Sequence, residues 1–303
     1  GFGAMCGSST AAAAAMSSVV IPEMRRLKCD DRLAGGVVAV AGTLAILIPP
    51  SVPMIIYGSV TETSVGKLLI AGLVPGILMA ISLAAVVIVW TKYDPSISPK
   101  ITPFSWKDRL DSVVAIWPML ILFALVIGFI YFGIATPTES AALGASGALV
   151  IGLVLRRLNF SKICEALVHT LKSTSMIFTL IIGAMIFGYY MTMTQTPQNV
   201  VKYIGELEVN RWIIIAILVV LYLFLGCLMD QIAILLLTLP VTFPLIVTLG
   251  FDPIWFGVIV VVLVEIGLAT PPIGLNVFIV SSISKIPLET VFKGVFRLLL
   301  MQL

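Results

Sequence analysis

Charged residues and histidine are scarce in this sequence. Only 11% of its 303 residues are charged and there is a single histidine, whereas 60% are apolar and the mean hydropathy is +1.15. About a quarter of the residues of a soluble globular domain are charged, so this composition excludes that class. The net charge of +3 comes from basic residues in separated short loops, which gives no reason to expect a nucleic-acid partner. The composition is that of a membrane-embedded protein.

The residues that most enzymes use are also missing or isolated. No sequence cluster of histidine with cysteine or acids occurs, and His169 lies in an amphipathic stretch where we expect it to be solvated. The four cysteines have no zinc-site or disulfide spacing, so we expect them to be small packing residues. The phosphate-binding pattern GxxxxGK[ST] is absent, so the chain is not expected to hydrolyse ATP itself. We therefore expect no cofactor, no transition metal and no enzymatic activity.

Long apolar runs are abundant, and two of them are interrupted by a pair of prolines. One run extends from Pro253 to Ser282 and is broken at Pro271-Pro272; the other, Gly42–Ser59, is broken at Pro49-Pro50. Proline lacks an N–H and clashes with the preceding turn, so a helix must break there. Such breaks persist at membrane depth only where they line a cavity or bind a ligand. The sequence therefore predicts an all-α polytopic membrane protein with two broken transmembrane helices.

The two broken segments belong to an internal repeat with an offset of 222 residues. At this offset Pro49-Pro50 falls on Pro271-Pro272, and the alignment continues without gaps from about residue 8 to residue 74. The other identities are Pro22 with Pro244, Asp30 with Asp252, Gly35 with Gly257, Ser59 with Ser281, and Gly72 with Gly294. Broken segments at corresponding positions in two halves of a membrane protein point to the binding site of a transporter.

Each half of the repeat also contains a turn of small residues. The first turn, Cys6–Thr10, leads into the helix-prone run Ala11–Val20, which we expect to end at Ile21-Pro22. The second turn, Gly226–Asp230, lies between two apolar arms, 212–225 and 232–249. We predict that both turns are tips of re-entrant hairpins, which enter the membrane and return to the same side. Two ordinary spans over 213–249 remain the alternative.

The remaining apolar runs predict ordinary spans, and the loop charges predict their orientation. The predicted spans are Val37–Tyr57, Leu68–Trp90, Val113–Phe132, Ala141–Leu155, Met176–Met193, Ile254–Ser281 and Val291–Leu303. With a second re-entrant hairpin, the repeats are inverted and 15 of the 18 Lys and Arg lie on one side; only Lys67, Lys202 and Arg211 lie opposite. With two full spans the ratio is 12 to 6. The positive-inside rule favours the hairpins and makes the 15-residue side cytoplasmic.

These elements predict a division of the chain into moving and fixed parts. Residues 1–90 and 211–303 are predicted to form a transport domain, 91–110 a cytoplasmic linker, and 111–210 scaffold helices with amphipathic arms. The arms, Asn159–Ser173 and Thr196–Glu208, are expected to lie along the membrane surface. The chain begins and stops within uncapped stretches, so we expect the intact protein to extend at both ends.

Tips and breaks supply hydroxyls, backbone carbonyls and helix ends, which suit Na⁺ and a carboxylate substrate. Asp230 has a structural alternative as a helix cap, and Glu265 as an anchor of the broken helix. The predicted sodium site 1 comprises Ser8, Ser9, Thr10, Ala45, Ile48 and Pro50. The predicted sodium site 2 comprises Gly226, Asp230, Gly267 and Thr270. The predicted surroundings of the substrate are Ser9, Pro49, Glu265, Pro271 and Asn276.

Four motifs in these segments make the chain similar to a known family. They are GSSTAAAAAMSSVVIPEMRR (7–26), GTLAILIPPSVPMIIYG (42–58), ATPTESAAL (135–143) and EIGLATPPIGLNVF (265–278). The chain resembles the large membrane (permease) subunit of tripartite ATP-independent periplasmic (TRAP) transporters along its whole length. The resemblance implies a sodium-driven elevator-type symporter in the bacterial inner membrane. It also implies two partners, a small four-helix membrane subunit and a periplasmic substrate-binding protein, and a carboxylate substrate such as a C4-dicarboxylate or sialic acid.

A second class of function has to be weighed against transport. An intramembrane enzyme or an assembly scaffold could share a helical architecture of this kind. An enzyme would need a nucleophile–base pair or metal ligands within the membrane, and the sequence offers neither pattern. Sodium-dependent uptake separates the two classes.

Overall fold

The structure, a computed structural model, describes residues 7–98, 106–206 and 209–302. These residues form thirteen α-helices and two short 3₁₀ turns, and no strand occurs among them. The expectation of an all-α protein is confirmed. The helices are α1 Ser9–Arg26, α2 Asp31–Thr43, α3 Val52–Val60, α4 Val65–Tyr93, α5 Trp106–Tyr131, α6 Pro137–Val154, α7 Phe160–Met193, α8 Thr196–Glu206, α9 Arg211–Leu228, α10 Gln231–Thr248, α11 Pro253–Leu268, α12 Leu275–Ser284 and α13 Leu288–Gln302.

Five helices are long and apolar enough to cross a membrane. They are α4, α6, α7, α9 and α10, and α11 and α12 are shorter apolar helices on either side of the second break. The helix α9 has 18 residues, which at 1.5 Å per residue is about 27 Å and close to the thickness of the hydrocarbon core. Length alone therefore does not separate a re-entrant arm from a full span here.

The chain packs as two compact units. One contains residues 1–100 and 183–303, and the other contains residues 101–182. In the first unit, buried apolar side chains of α1, α2, α4, α12 and α13 form one core. In the second unit, α6 packs on α5, and a complete capping box begins α6, with Thr136 and Glu139 each bonded to the other's backbone N–H.

The 222-residue repeat is visible in the helix bounds. The helix α10, Gln231–Thr248, is α1, Ser9–Arg26, moved by 222 residues at both ends. The helices α2 and α11 begin at equivalent residues, whereas the starts of α3 and α12, and of α4 and α13, differ from that offset by a single residue. Both breaks contain a cis peptide bond, Pro49-Pro50 and Pro271-Pro272. The sparse identities in the sequence therefore correspond to two halves with the same order of helices.

The two halves exchange contacts. The helix α1 packs on α12 and α10 packs on α3, while α2 packs on α13 and α11 packs on α4. A β-carbon added to Gly35 of α2 would lie 3.1 Å from Val291 of α13; one added to the equivalent Gly257 of α11 would lie 2.9 Å from Leu68 of α4. The repeats are therefore interlocked, with each one completed by helices of the other.

Three helices continue through prolines at which the sequence predicted an end or an interruption. The helix α1 contains Pro22 and continues to Arg26, although we expected it to end at Ile21-Pro22. Likewise α10 contains Pro240 and Pro244 without a break. A lost backbone bond is tolerated when neighbouring helices hold the segment in place, and α1 is packed against both α2 and α12.

The predicted surface arm Asn159–Ser173 is not a separate element. It forms, with the predicted span Met176–Met193, the single 34-residue helix α7. The polar run 173–175 does not interrupt this helix, because hydroxyls can bond to the preceding turn; Thr179 Oγ1 donates to Ser175 O at 2.8 Å and Thr170 Oγ1 to Ala166 O at 2.8 Å. The other predicted arm, Thr196–Glu208, is a separate helix, α8, as far as Glu206.

The predicted linker 91–110 is only partly a loop. The helix α4 continues to Tyr93, and a 3₁₀ turn follows at Pro95–Ile97. Ile97 is fully buried in the core of the first unit, and its carbonyl accepts a bond from Asp30 N at 3.0 Å. Residues 99–105 of the predicted linker lie outside the described part of the chain.

Contacts between helix ends define two opposite ends of the first unit. At one end, Arg25 Nη1 of α1 donates to Ser284 O of α12 at 2.8 Å, and Arg25 also pairs with Asp31. At the other end, Tyr57 of α3 donates to Pro253 O at the start of α11 at 2.7 Å. The first end carries the basic residues, where the guanidinium of Arg32 bonds to Asp30 and lowers the pKa of its carboxyl group.

Candidate functional site

The first tip contacts the first break. Gly7 has φ +61°, and a β-carbon at this position would lie 2.9 Å from the carbonyl oxygen of Pro50. Val52 N, at the start of α3, donates to Gly7 O at 3.1 Å. A left-handed residue without a side chain is therefore required for the tip to lie against the break.

The predicted sodium site 1 residues are brought together around this contact. Ser8 and Thr10 are half-buried and share a hydrogen bond of 3.0 Å, whereas Ser9 is fully buried and its hydroxyl has no partner. The helix α1 also contacts the 3₁₀ turn Leu44–Ile46, which contains Ala45. Ile48, Pro49 and Pro50 form the break itself, so tip hydroxyls and break backbone lie side by side.

The second tip contacts the second break in the same way. A β-carbon on Gly226 would lie 2.8 Å from Val264 O and 2.9 Å from the Cα of Gly267. Thr270 N donates to Gly267 O at 2.8 Å, and the Thr270 hydroxyl donates to Ile266 O. A carbonyl oxygen has two lone pairs, so Gly267 O can still accept a cation or another donor.

Asp230 is the N-cap of α10. Its Oδ1 accepts a hydrogen bond from Ile232 N at 2.9 Å, and the side chain is half-buried. The capping role considered from the sequence is therefore present in the structure. One carboxylate oxygen can cap a helix while the other binds a cation, so capping does not exclude the predicted role in sodium site 2.

Glu265 lies between the two tips. This residue of α11 is 1% exposed, and its carboxyl group lies beside the hydroxyl of Ser9 and within Coulombic range of Asp230. It forms no hydrogen bond of ordinary geometry. The sequence placed Ser9 and Asp230 in two separate sodium sites, and the structure shows that one buried acid adjoins both.

Most buried side-chain polar atoms without a partner lie at the tips and breaks. Within the described residues, six side chains have such atoms, and four of them belong to this region: Ser9, Gln231, Glu265 and Asn276. Asn276 is fully buried near the start of α12, and neither its oxygen nor its nitrogen is bonded. Buried polar groups are normally hydrogen-bonded, and groups that are not point to a ligand or a functional role.

Gln231 was missed by the sequence prediction. It is 3% exposed and its Oε1 has no hydrogen-bond partner. The repeat contained the signal, because Gln231 is the equivalent of Ser9 at the offset of 222 residues. The structure therefore has an unpartnered oxygen at the same position in both tips.

Helix ends of both polarities meet in this region. The helices α1 and α10 begin at the tips, and α3 and α12 begin after the breaks, so four helix N-termini face it. The helices α2, α9 and α11 end here with free carbonyl groups. N-termini favour anions, whereas C-terminal carbonyls favour cations. This arrangement can hold a carboxylate and Na⁺ together.

Transition-metal chemistry finds no support in the described part of the chain. No group of three histidine, cysteine, aspartate or glutamate side chains is close enough there to hold a metal ion. Cys29, Cys164 and Cys227 are free thiols, and Cys227 Sγ donates to Leu223 O at 3.1 Å. The oxygen-rich groups at the tips match the preference of Na⁺ for oxygen ligands.

The sequence matches one protein family over its whole length. The family model described as "Tripartite ATP-independent periplasmic transporter, DctM component" matches residues 1–303. The chain is 38% identical to the C4-dicarboxylate TRAP transporter large permease protein DctM of Pseudomonas aeruginosa over 97% of this chain and 68% of that protein. It is 34% identical to the sialic acid TRAP transporter large permease protein SiaM of Vibrio cholerae, over 98% and 70% respectively. It is 33% identical to the isethionate TRAP transporter permease protein DctMQ of Oleidesulfovibrio alaskensis, over 100% and 48%.

Proposed function

The chain belongs to the DctM family of TRAP transporter permeases, and from this membership we propose that it imports a small organic acid together with Na⁺. The family consists of transport proteins rather than enzymes, and with its several apolar helices the chain is a multi-pass inner-membrane protein. The observation that carries the proposal is the meeting of both tips with both breaks around unpartnered buried oxygens. The alternative of an intramembrane enzyme or scaffold is not favoured by this family membership.

The substrate class follows from the anion-binding character of the region. Four helix N-termini and the unbonded amide of Asn276 offer N–H donors to a carboxylate. The three relatives are named for a C4-dicarboxylate, sialic acid and isethionate, all of which are organic anions. We propose that this chain carries a carboxylate of similar size, held near Ser9, Pro49, Glu265, Pro271 and Asn276.

Sodium coupling is proposed at two positions. Site 1 uses the hydroxyls of the first tip with backbone oxygens of the first break, and site 2 uses Asp230 and backbone oxygens around Gly226, Gly267 and Thr270. Glu265 adjoins Ser9 and Asp230, so a bound cation at either site also offsets the negative charge of this buried acid. This shared neighbour supports coupling between the two sites.

The partners are proposed from the family name. A tripartite periplasmic transporter has three components, and this chain matches the large permease. We propose that a periplasmic substrate-binding protein delivers the organic acid and that a small four-helix membrane subunit completes the permease. The relative from Oleidesulfovibrio alaskensis is about twice as long as this chain, since 304 aligned residues cover 48% of it.

Inverted repeats with re-entrant hairpins account for the contacts in the first unit. The second tip lies against Gly267 at the end of α11, and the chain continues beyond this level as α12. The tip thus reaches the level of a helix break rather than the far end of the broken helix. The exchanged contacts of the halves also support a two-fold relation, and we propose that the interlocked helices move together as an elevator.

Uptake in proteoliposomes tests the proposed function. We expect the permease, reconstituted with its small subunit and binding protein, to accumulate labelled succinate or N-acetylneuraminate when an inward Na⁺ gradient is present and ATP is absent. Uptake should fall at least tenfold when K⁺ replaces Na⁺, because the tip sites would lose their cation. Equal uptake in Na⁺ and K⁺ would contradict sodium coupling, and no uptake of any organic anion would contradict the transport proposal.

Cysteine labelling tests the topology. In a background without native cysteines, single cysteines at Val209 and Thr248, at the outer ends of α9 and α10, should both react with an impermeant maleimide added from the periplasm. A cysteine at the exposed Lys28, on the basic side, should react only after the membrane is permeabilised and serves as the control. A cysteine at the tip position Met229 separates the two models: two full spans predict reaction at the cytoplasmic surface, whereas a re-entrant tip predicts reaction dependent on substrate and Na⁺.

A further inference from the structure

We propose that an anionic phospholipid binds along the seam between α9 and α11, with its phosphate at Arg211 and an acyl chain in the groove below. The groove has an empty volume of about 200 Å³ and an almost entirely apolar lining. Its walls are Ile215, Leu218 and Tyr222 of α9 and Trp255, Ile259 and Leu263 of α11. This site is separate from the tips and breaks and is not used in the proposed transport cycle.

The head of the site is a cluster of aromatic rings around one cation. The guanidinium carbon of Arg211 lies 5.2 Å from the ring centroid of Phe251 and 5.9 Å from that of Trp212. Phe251 stacks on Trp255 with centroids 5.3 Å apart, and Trp212 meets Phe251 edge-on at 5.2 Å. Trp212 is 55% exposed, so the cluster is accessible. Tryptophan and arginine together are typical of the level of lipid headgroups.

Helix register aligns Arg211 with the groove. Residues 211, 215, 218 and 222 follow one another at spacings of four, three and four, so they share one face of α9. On α11 the residues 255, 259 and 263 form a matching stripe. A ligand bound through Arg211 therefore leads directly into the groove.

The dimensions match one leaflet of a bilayer. Eleven residues separate Arg211 from Tyr222, which is roughly 16 Å along a helix. Half of the hydrocarbon core is about 15 Å thick. A phosphate at Arg211 would place its acyl chain along the whole groove, as far as the ring of Tyr222. Tyr222 closes the groove firmly, because its hydroxyl is bonded to Thr238 and Thr242 at 2.9 Å each.

Charge selects the occupant. A planar guanidinium fixed over aromatic rings can bind two phosphate oxygens at once, which a purely apolar surface cannot do. A second helix packed on the seam would cover the apolar lining, yet it would bury the charge of Arg211 unless it supplied an acid. A phospholipid with a net negative headgroup matches both parts of the site.

The test uses Trp212 and Trp255 as reporters. The assembled permease is reconstituted in phosphatidylcholine containing increasing fractions of phosphatidylglycerol with brominated acyl chains, and the quenching of tryptophan fluorescence is measured. We expect saturable quenching, weakened about tenfold by Arg211→Gln and partly retained in Arg211→Lys. Ile259→Phe, which fills the groove, should also weaken quenching. The matched controls are Lys202→Gln for charge and Ile217→Phe, at a residue that is 62% exposed on α9, for added volume.

Native mass spectrometry provides an independent count of the lipid retained. One phosphatidylglycerol should remain on the wild-type complex and be lost from Arg211→Gln, whereas both controls keep it. Equal quenching by brominated phosphatidylcholine and no effect of Arg211→Gln would mean annular lipid only and would overturn the proposal. Competition by glycerol phosphate as strong as by the lipid would indicate a headgroup site without a chain. Quenching in the isolated chain but not in the assembled permease would mean that protein covers the groove, which also overturns it.

Discussion

Asn276→Leu is expected to leave the ligand-free protein as stable as the wild type, or more stable, and to reduce uptake at least tenfold. The amide of Asn276 is fully buried and makes none of its hydrogen bonds. Burying such a group costs about 1–3 kcal/mol, which an apolar side chain of similar shape recovers. If the amide waits for the substrate, the same change removes a bond that forms only in the loaded protein. Stability and activity should therefore change in opposite directions, as measured by thermal unfolding and by uptake in the same preparation.

Thr242→Val is the matched control for this experiment. Thr242 is also buried, at 4% exposure, but its hydroxyl is bonded to Tyr222 at 2.9 Å and to Thr238 O at 3.0 Å. Removing it should cost about 1 kcal/mol of stability and leave the uptake of the folded protein unchanged. If Asn276→Leu behaves like Thr242→Val, with lower stability and normal uptake, Asn276 is a structural residue and leaves the substrate site.

The elements that could be predicted from the sequence are those governed by local chemistry. Paired prolines must end a helix, and they do so at Pro49-Pro50 and Pro271-Pro272. The 222-residue offset then transferred the first half onto the second with helix bounds that agree within one residue at most starts. The isolated prolines Pro22, Pro240 and Pro244 gave the wrong prediction, because packing against neighbouring helices outweighs the loss of one backbone bond.

The arrangement across the two halves could not be predicted in this way. Ser9 and Glu265 are 256 residues apart, and no spacing rule relates a tip in one repeat to a broken helix in the other. Their proximity follows from the exchange of contacts, in which α1 packs on α12 rather than only on its own repeat. The role of Gln231 was missed for a related reason, since a single glutamine at the start of an apolar arm carries no signal until its equivalent is known.

Proximity also changes how the two predicted sodium sites are understood. From the sequence they were independent groups, one built on hydroxyls and one on a carboxylate. In the structure Glu265 adjoins Ser9 of site 1 and Asp230 of site 2, so a change in charge at one site alters the field at the other. Effects of substitutions in the two sites should therefore not be additive.

Asp230→Ala is expected to raise the Na⁺ concentration for half-maximal uptake by about tenfold, and more than Ser9→Ala does. A carboxylate ligand contributes a full negative charge in surroundings of low dielectric constant, whereas Ser9 contributes a neutral hydroxyl. Because Asp230 also caps α10, the alanine variant should lose about 1 kcal/mol of stability as well. Uptake measured against Na⁺ concentration, together with thermal unfolding, separates these two effects.

Two further variants isolate the charge from the cap. Asp230→Asn keeps an oxygen that can accept from Ile232 N but removes the charge, so it should retain stability and still require more Na⁺. Asp252→Ala removes an equivalent cap, in which Oδ1 accepts from Trp255 N at 2.8 Å at the start of α11, far along the chain from either break. It should lose stability and keep the wild-type sodium curve. A wild-type sodium curve in both Asp230 variants would remove this residue from site 2, and the carbonyl oxygens of Gly267 and Thr270 would then have to bind the cation.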